Sequence, residues 1–186
     1  RFALKWAYDA KDELQKFLKM YPDHAEATLL MGDWYADMAE EYENAIVWYT
    51  RYLAMRPGDS EIGRRLGLAY LELKDFDRIM DSLLGFIQEH PEAFELMPIV
   101  AQACVKKEKF DLALELFQRY LSKVEPEERA LLEDIRLMAS KEELAAFEST
   151  SGSDRGAFLK RFWNGRDPDL STAVNERLLE HYRRVW

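Results

Sequence analysis

The sequence predicts an all-α protein: an array of helical hairpins followed by extra C-terminal helices. A pattern of about 34 residues recurs from residue 25 to residue 127. Apolar residues within each unit are spaced at i, i+3, i+4 and i+7, which is typical of amphipathic helices. A proline closes each unit, at Pro57, Pro91 and Pro126, because proline cannot continue a helix.

Three successive repeats, 25–59, 60–93 and 94–127, carry the same features in register. A small residue stands at the eighth position of each repeat, and we expect it to let the two helices approach closely. The first repeat has one extra residue, which the comparison places near Glu40 and Glu41. The recurring residues are Gly32, Gly67 and Ala101; Tyr35, Tyr70 and Cys104; and Tyr42, Phe76 and Phe110.

This pattern resembles the tetratricopeptide repeat family. The resemblance implies that neighbouring hairpins stack into a right-handed α-α superhelix, since one hairpin alone cannot bury both of its apolar faces. It also implies that partners bind in the concave groove lined by the first helices.

The array is predicted to extend over residues 1–148. Residues 1–24 carry Ala10, Leu14 and Phe17 where a second helix would have them, so they form half a repeat whose first helix is missing or lies upstream. Because the chain opens within this pattern and without a methionine, we expect a fragment, a processed protein or trimmed termini, and we favour part of a larger bacterial polypeptide. Residues 128–148 are a degenerate cap.

Two local features of the array are predicted from single residues. Ser140 and Glu143 have the spacing of a capping box. Pro98 lies inside the first helix of the third repeat, so that helix either begins late, with Pro98 in its first turn, or kinks; the late start is favoured.

Beyond the array, residues 149–156 are small and polar and are predicted to be a linker to a C-terminal helical segment, 157–186. We expect two more helices near 153–164 and 172–186, with Ser153 and Thr172 as their N-caps.

This segment also resembles the lead-in to the GWxTD domain of bacterial proteins, through "FLKRFW", "RDP", Thr172, "NE" and "HYRRV". The Gly-Trp-x-Thr-Asp element itself does not occur in the sequence. The resemblance implies a bacterial protein in the cytoplasm or the cell envelope, with the envelope favoured.

The stretch "FWNGRDP" has two interpretations. In the first it ends the array: aromatic residues pack on the last repeat, Asn164-Gly165 forms a left-handed cap, and Asp167-Pro168 makes a turn. In the second, Trp163, Arg166 and Asp167 contact a ligand or partner. The architectural interpretation is favoured.

Composition and motifs exclude several functions. The net charge of -9 repels phosphate backbones, which argues against nucleic-acid binding. No apolar stretch is long enough to span a bilayer. The sequence contains no nucleotide-binding, hydrolase or metal-ligating motif, and Cys104 occupies a packing position, so we expect no catalysis, cofactor or metal.

The predicted groove residues occupy positions two, five, nine and thirteen of each repeat. Family members that bind chaperone C-terminal carboxylates use a basic clamp, but this chain has Glu26, Leu29 and Asp33 in the first clamp positions, which excludes that ligand. An acidic groove with leucines inside suits a basic or amphipathic peptide; the alternative is a solvated face with no ligand. The residues are Glu26, Leu29, Asp33 and Asp37; Glu61, Arg64, Leu68 and Glu72; and Glu95, Pro98, Gln102 and Lys106.

Two tryptophans of the first repeat, Trp34 and Trp48, do not match the repeat pattern. We expect them to pack under a neighbouring helix; exposed, they would instead be partner anchors.

The sequence as a whole predicts a non-catalytic scaffold or adaptor that binds another protein through the repeats. Two alternatives stay open: the recruitment or regulatory part of a bacterial enzyme or envelope protein whose further domain follows residue 186, and a structural subunit of a large assembly that makes contacts through its second helices.

Overall fold

The computed structural model describes residues 2–186, without the side chains of residues 2–5 and 7; Arg1, the first residue of the predicted half repeat, lies outside the described residues. All regular elements in the described part of the chain are helices, which confirms the all-α prediction. The chain divides into two compact units, residues 1–103 and residues 104–186.

Unit 1 is a series of helices in which α1 packs on α2, α2 on α3 and α3 on α4. Two of its helices contain a π-helical turn. Its elements are α1 (Phe2–Met20), α2 (Ala25–Asp33) with the π turn Trp34–Met38, α3 (Tyr42–Met55), α4 (Ser60–Glu72), α5 (Phe76–Arg78) with the π turn Ile79–Leu83 leading into α6 (Leu84–Glu89), and a 3₁₀ turn (Phe94–Leu96) leading into α7 (Met97–Lys106).

The 34-residue period is visible in the backbone. Glu40, Lys74 and Glu108 have φ of 53°, 55° and 57°, and each lies in the turn between two successive helices of the chain. A left-handed residue after a helix lets the following amides bond back to its last turn. All three turns therefore use a left-handed residue at the same place, although none of these residues is glycine.

The extra residue of the first repeat lies in the π turn Trp34–Met38. The amides of Asp75 and Lys109 each donate to the carbonyl five residues earlier, whereas the Glu41 amide reaches the Tyr35 carbonyl, six residues earlier, at 2.9 Å. A π turn accommodates one inserted residue without ending the helix. The insertion thus precedes Glu40, slightly earlier than the sequence comparison placed it.

The second π turn contains a serine whose hydroxyl competes with the backbone amides for a carbonyl acceptor. The Ser82 hydroxyl donates to the Arg78 carbonyl at 2.5 Å, and a serine bonded to the carbonyl four residues back commonly distorts a helix.

The small eighth residue brings the helices together as predicted. A Cβ added at Gly32 would lie 2.6 Å from Cε1 of Tyr49, and one added at Gly67 would lie 2.7 Å from Cδ1 of Leu83. Both distances are shorter than real side-chain contacts, so a larger residue would hold the helices apart. The late start of α7 is also confirmed, since Pro98 lies in its first turn.

Unit 2 packs five helices and their connecting turns together. A cluster of buried residues, Ile135, Phe147, Phe162 and Trp163, joins residues of the predicted cap to residues of the predicted C-terminal segment. The helices are α8 (Phe110–Leu121), α9 (Pro126–Leu132), α10 (Lys141–Glu148), α11 (Gly152–Asn164) and α12 (Glu176–Val185). The predicted domain boundaries themselves stay a prediction.

The helix ends of unit 2 confirm one prediction and correct three. Ser140 and Glu143 form the capping box. The predicted N-caps are displaced: α11 begins after Ser151, so residues 152–156 of the predicted linker are helical, and α12 begins after Asn175, whose side chain accepts the Leu178 amide at 2.9 Å. The left-handed cap at Asn164-Gly165 is wrong, because Gly165 has φ of -70°.

Candidate peptide-binding cleft

A cleft of about 450 Å³ in unit 1 brings six of the twelve predicted groove residues together. It lies where the end of α2 and its π turn face α3 and α4. The predicted residues are Asp33, Asp37, Glu61, Arg64, Leu68 and Glu72; the others are Ala36, Tyr42, Tyr49, Arg65 and Ala69, which sequence reasoning did not assign to the groove.

Asp33 joins three elements at the inner end of the cleft. Its Oδ1 accepts a hydrogen bond from Nη1 of Arg65 at 2.7 Å and another from the Tyr49 hydroxyl at 3.0 Å. Burial, followed by the neighbouring Asp33 carboxylate, raises the pKa of Tyr49, and the bond to Asp33 raises the pKa of Arg65. Asp33 therefore links α2 to α3 and α4 through these two hydrogen bonds.

The two arginines of the cleft are held by carboxylates. Arg64 Nε lies 3.2 Å from Glu61 Oε2, and Arg65 Nε lies 3.1 Å from Glu61 Oε1. Hydrogen bonding from Arg64 is the main cause that lowers the pKa of Glu61. Carboxylates therefore balance the positive charge of both guanidinium groups.

The outer end of the cleft carries two unpaired acids. Asp37 and Glu72 are exposed, and their carboxylates make no hydrogen bond or ion pair with the described residues. Desolvation, followed by the negative charges of Glu72, Glu40 and Asp37, raises the pKa of the Tyr42 phenol. The outer end is therefore a negative region around an aromatic ring.

The remaining predicted groove residues do not line this cleft. Glu26 borders a different, wide hollow near Tyr52 and Asp59. Pro98 is buried, so it cannot contribute to an open groove as predicted. Leu29 and Gln102 are half-buried, and Glu95 and Lys106 are exposed. That a groove continues through these residues stays a prediction.

The tryptophans of the first repeat pack within unit 1. Trp34 meets the Tyr8 ring edge-on at 5.2 Å, and Lys11 Nζ lies 4.5 Å from the centre of its indole. Trp48 packs against the buried cluster formed by Leu18, Ala27 and Met31. These contacts favour packing over partner anchoring for both.

Arg166 and Asp167 of the C-terminal stretch also make internal contacts. Arg166 Nη2 lies 2.7 and 2.9 Å from the two carboxylate oxygens of Glu143, and its guanidinium stacks 3.6 Å from the Phe162 ring. Asp167 accepts the Asp169 amide at 3.1 Å, and Trp163 is buried. These bonds favour the architectural interpretation, although Trp163 and Asp167 also line a cavity of about 520 Å³ in unit 2.

Cys104 is buried, and burial raises the pKa of its thiol to about 11, which disfavours the nucleophilic thiolate. No group of three potential metal ligands occurs among the described residues, and none of the described helices is long and apolar enough to cross a membrane.

Comparison with protein families identifies two stretches of unit 1. Residues 9–60 match one model of the tetratricopeptide repeat, and residues 64–93 match a second. The first match spans most of α1 together with the repeat 25–59, and the second covers most of the repeat 60–93. No curated protein matches the chain. The tetratricopeptide resemblance is thereby supported for these stretches.

Proposed function

We propose that unit 1, whose helices match the tetratricopeptide repeat, is a non-catalytic adaptor that binds a basic segment of another protein in the cleft. Such repeats generally mediate contacts between proteins. The observation that carries the proposal is the charge arrangement: both arginines of the cleft are bound to acids, while Asp37 and Glu72 have no partner among the described residues.

The outer end of the cleft suits a lysine or arginine side chain. A cation there would lie near two carboxylates and beside the Tyr42 ring, and aromatic faces attract cations by about 0.5–1 kcal/mol at exposed sites. Charge complementarity of this kind mainly selects the partner and speeds its association.

The floor of the cleft suits an apolar neighbour of that cation. Leu68 is half-buried in the middle of α4, and it lines the cleft together with the small residues Ala36 and Ala69. Burial of an apolar side chain contributes about 25 cal/mol per Å². The preferred segment therefore alternates basic and apolar residues.

Internal hydrogen bonds hold the walls of the cleft together. The bonds from Arg65 and Tyr49 to Asp33 tie α4 and α3 to α2. A partner consequently need not order these helices, and a preformed site loses less affinity to ordering.

The test is fluorescence anisotropy with a labelled peptide of alternating arginine and leucine. We expect the variant with Asp37→Lys and Glu72→Lys to bind about tenfold more weakly, because each exposed pair contributes up to about 1 kcal/mol. Asp33→Lys is unsuitable because it would break the internal bonds to Arg65 and Tyr49.

The matched control changes charge equally elsewhere in unit 1. Glu43→Lys with Asp81→Lys reverses two exposed acids outside the cleft, and we expect it to bind almost as the wild type does. Equal weakening in both double variants would show a non-specific charge effect and contradict the proposal, as would unchanged binding in the cleft variant.

A further inference from the structure

Four helices of unit 2 line a cavity that the proposed function does not use. Its volume is about 520 Å³, which lies within the range of about 300–1,000 Å³ that is usual for small-molecule sites. Leu132 is buried, and the other three leucines of the lining are half-buried, so the walls offer aliphatic surface to a ligand. One leucine comes from each of α8, α9, α11 and α12: Leu114, Leu132, Leu159 and Leu178.

The polar groups of the lining that lack a partner can all donate hydrogen bonds. Gln118, Lys160 and Asn164 are exposed, and their side chains make no hydrogen bond or ion pair with the described residues. The Tyr182 hydroxyl has no hydrogen-bond partner among these residues either, and burial, followed by the charge of Glu133, raises the pKa of this phenol to about 12. The phenol is therefore protonated at neutral pH. A carboxylate accepts hydrogen bonds and donates none, so it matches such a set of donors.

The two acids of the cavity lining have partners within unit 2. Glu133 Oε2 lies 4.0 Å from Arg155 Nε, and Asp167 accepts a hydrogen bond from the Asp169 amide at 3.1 Å. Both acids are half-buried, whereas Lys160 is exposed, which places its ammonium group at the mouth of the cavity. The charge of the lining that has no partner is therefore positive, in a chain whose net charge is -9.

We propose that this cavity binds an aliphatic carboxylate, with its chain against the four leucines and its carboxylate at Lys160. Hydrogen bonds from an ammonium group to a carboxylate are stronger than neutral ones, and the chain is stabilised in proportion to the apolar area that it removes from water. The chain enters first, because Lys160 is exposed and the leucines are more deeply buried.

This site is separate from the proposed peptide cleft. All residues that line the cavity belong to unit 2, whereas those that line the cleft belong to unit 1. The ligands also differ in charge, since the cleft suits a cation and the cavity suits an anion. The proposal therefore does not rest on peptide binding.

The experiment is isothermal titration calorimetry of the 186-residue chain with octanoate, octan-1-ol and acetate. Octanoate should bind at one site, octan-1-ol should bind more weakly because it has the chain without the charge, and acetate should not bind measurably. Lys160→Met should weaken octanoate binding about fivefold, the factor that one exposed ion pair can supply, and should leave octan-1-ol binding unchanged. Lys123→Met removes an exposed lysine outside the cavity, and it should leave octanoate binding unchanged.

Gly156 allows the cavity to be filled without a steric clash. It lines the cavity, and a Cβ added there would meet no atom within 4 Å. Gly156→Leu should therefore abolish the binding of octanoate and octan-1-ol, while urea denaturation shows no loss of stability, since leucine has a higher helix preference than glycine. Gly156→Ala is the matched control: it also raises the helix preference but leaves most of the cavity open, so it should bind octanoate as the wild type does.

Three results would overturn the proposal. The first is a wild-type chain that does not bind octanoate or binds octan-1-ol equally well. The second is equal weakening of octanoate binding by Lys160→Met and Lys123→Met. The third is octanoate binding that Gly156→Leu leaves unchanged.

Discussion

Gly32→Ala tests whether the small eighth residue determines the helix spacing. The added carbon would lie 2.6 and 2.7 Å from two ring carbons of Tyr49. That ring is buried, and its hydroxyl is bonded to Asp33. Either α2 and α3 must separate, or the ring must move and weaken its hydrogen bond.

The expected cost follows from three terms. Overpacking a core by one carbon costs about 1–3 kcal/mol, and a weakened hydrogen bond costs about 1 kcal/mol. Alanine regains about 1 kcal/mol over glycine within a helix. We therefore expect Gly32→Ala to lower the free energy of unfolding by about 1–3 kcal/mol.

Gly85→Ala is the matched control. Gly85 lies within α6, and an added Cβ would meet no atom within 4 Å. This substitution should raise the free energy of unfolding by about 1 kcal/mol, since only the helix preference changes. Urea denaturation followed by circular dichroism measures both values. If Gly32→Ala stabilised the protein as Gly85→Ala does, the close-approach explanation would be refuted.

Three more predictions concern unit 2, and denaturation measures each. Trp163→Ala should lower the free energy of unfolding by about 3–5 kcal/mol, as for other buried aromatics. Leu137→Ala, at a position 94% exposed, should leave the free energy of unfolding nearly unchanged. Equal effects of the two substitutions would contradict the conclusion that Trp163 is a packing residue. Asn175→Ala should cost about 1–2 kcal/mol by removing the α12 cap, and Asn175→Asp, which keeps the acceptor, should cost less. Burial lowers the pKa of His181, so the folded state favours the neutral ring. The free energy of unfolding should therefore keep its full value above about pH 6.5 and decrease as the pH drops below it. His181→Gln should reduce that decrease.

The helical hairpins could be predicted from the sequence because their period repeats. Gly32 and Gly67 have the same role in the structure, and Pro98 lies in the first turn of α7, where a proline is tolerated. Residues that recur at the same repeat positions indicate the same packing requirement in each repeat. The prediction of the helices therefore does not depend on the interpretation of any single residue.

Features that depend on one local competition could not be predicted. Thr172 is a plausible N-cap in the sequence, but its hydroxyl donates to Glu176, and Asn175 caps α12 instead. Asn164-Gly165 has the composition of a left-handed cap, yet Gly165 keeps a right-handed conformation. Such residues can form local hydrogen bonds in several backbone conformations, and tertiary contacts determine which conformation the folded chain adopts.

The cleft was predictable in part. Repeat positions grouped residues such as Asp37 and Leu68, which line one cleft in the structure, because first helices in register share a face. Arg65 was missed, since its role comes from a contact with Asp33, 32 residues earlier. The sequence signal was an acid and a base at nearly one repeat of separation, which becomes specific only when the structure brings them together.

The central claim is that a basic segment binds in the cleft, and an amide chemical-shift map tests it most directly. The ¹⁵N-labelled chain is titrated with the unlabelled peptide of alternating arginine and leucine. The largest shifts should fall on residues around Asp37, Leu68 and Glu72, and they should disappear in the variant with Asp37→Lys and Glu72→Lys. Shifts centred instead on the exposed face of α3 around Val47, or no shifts at all, would contradict the claim.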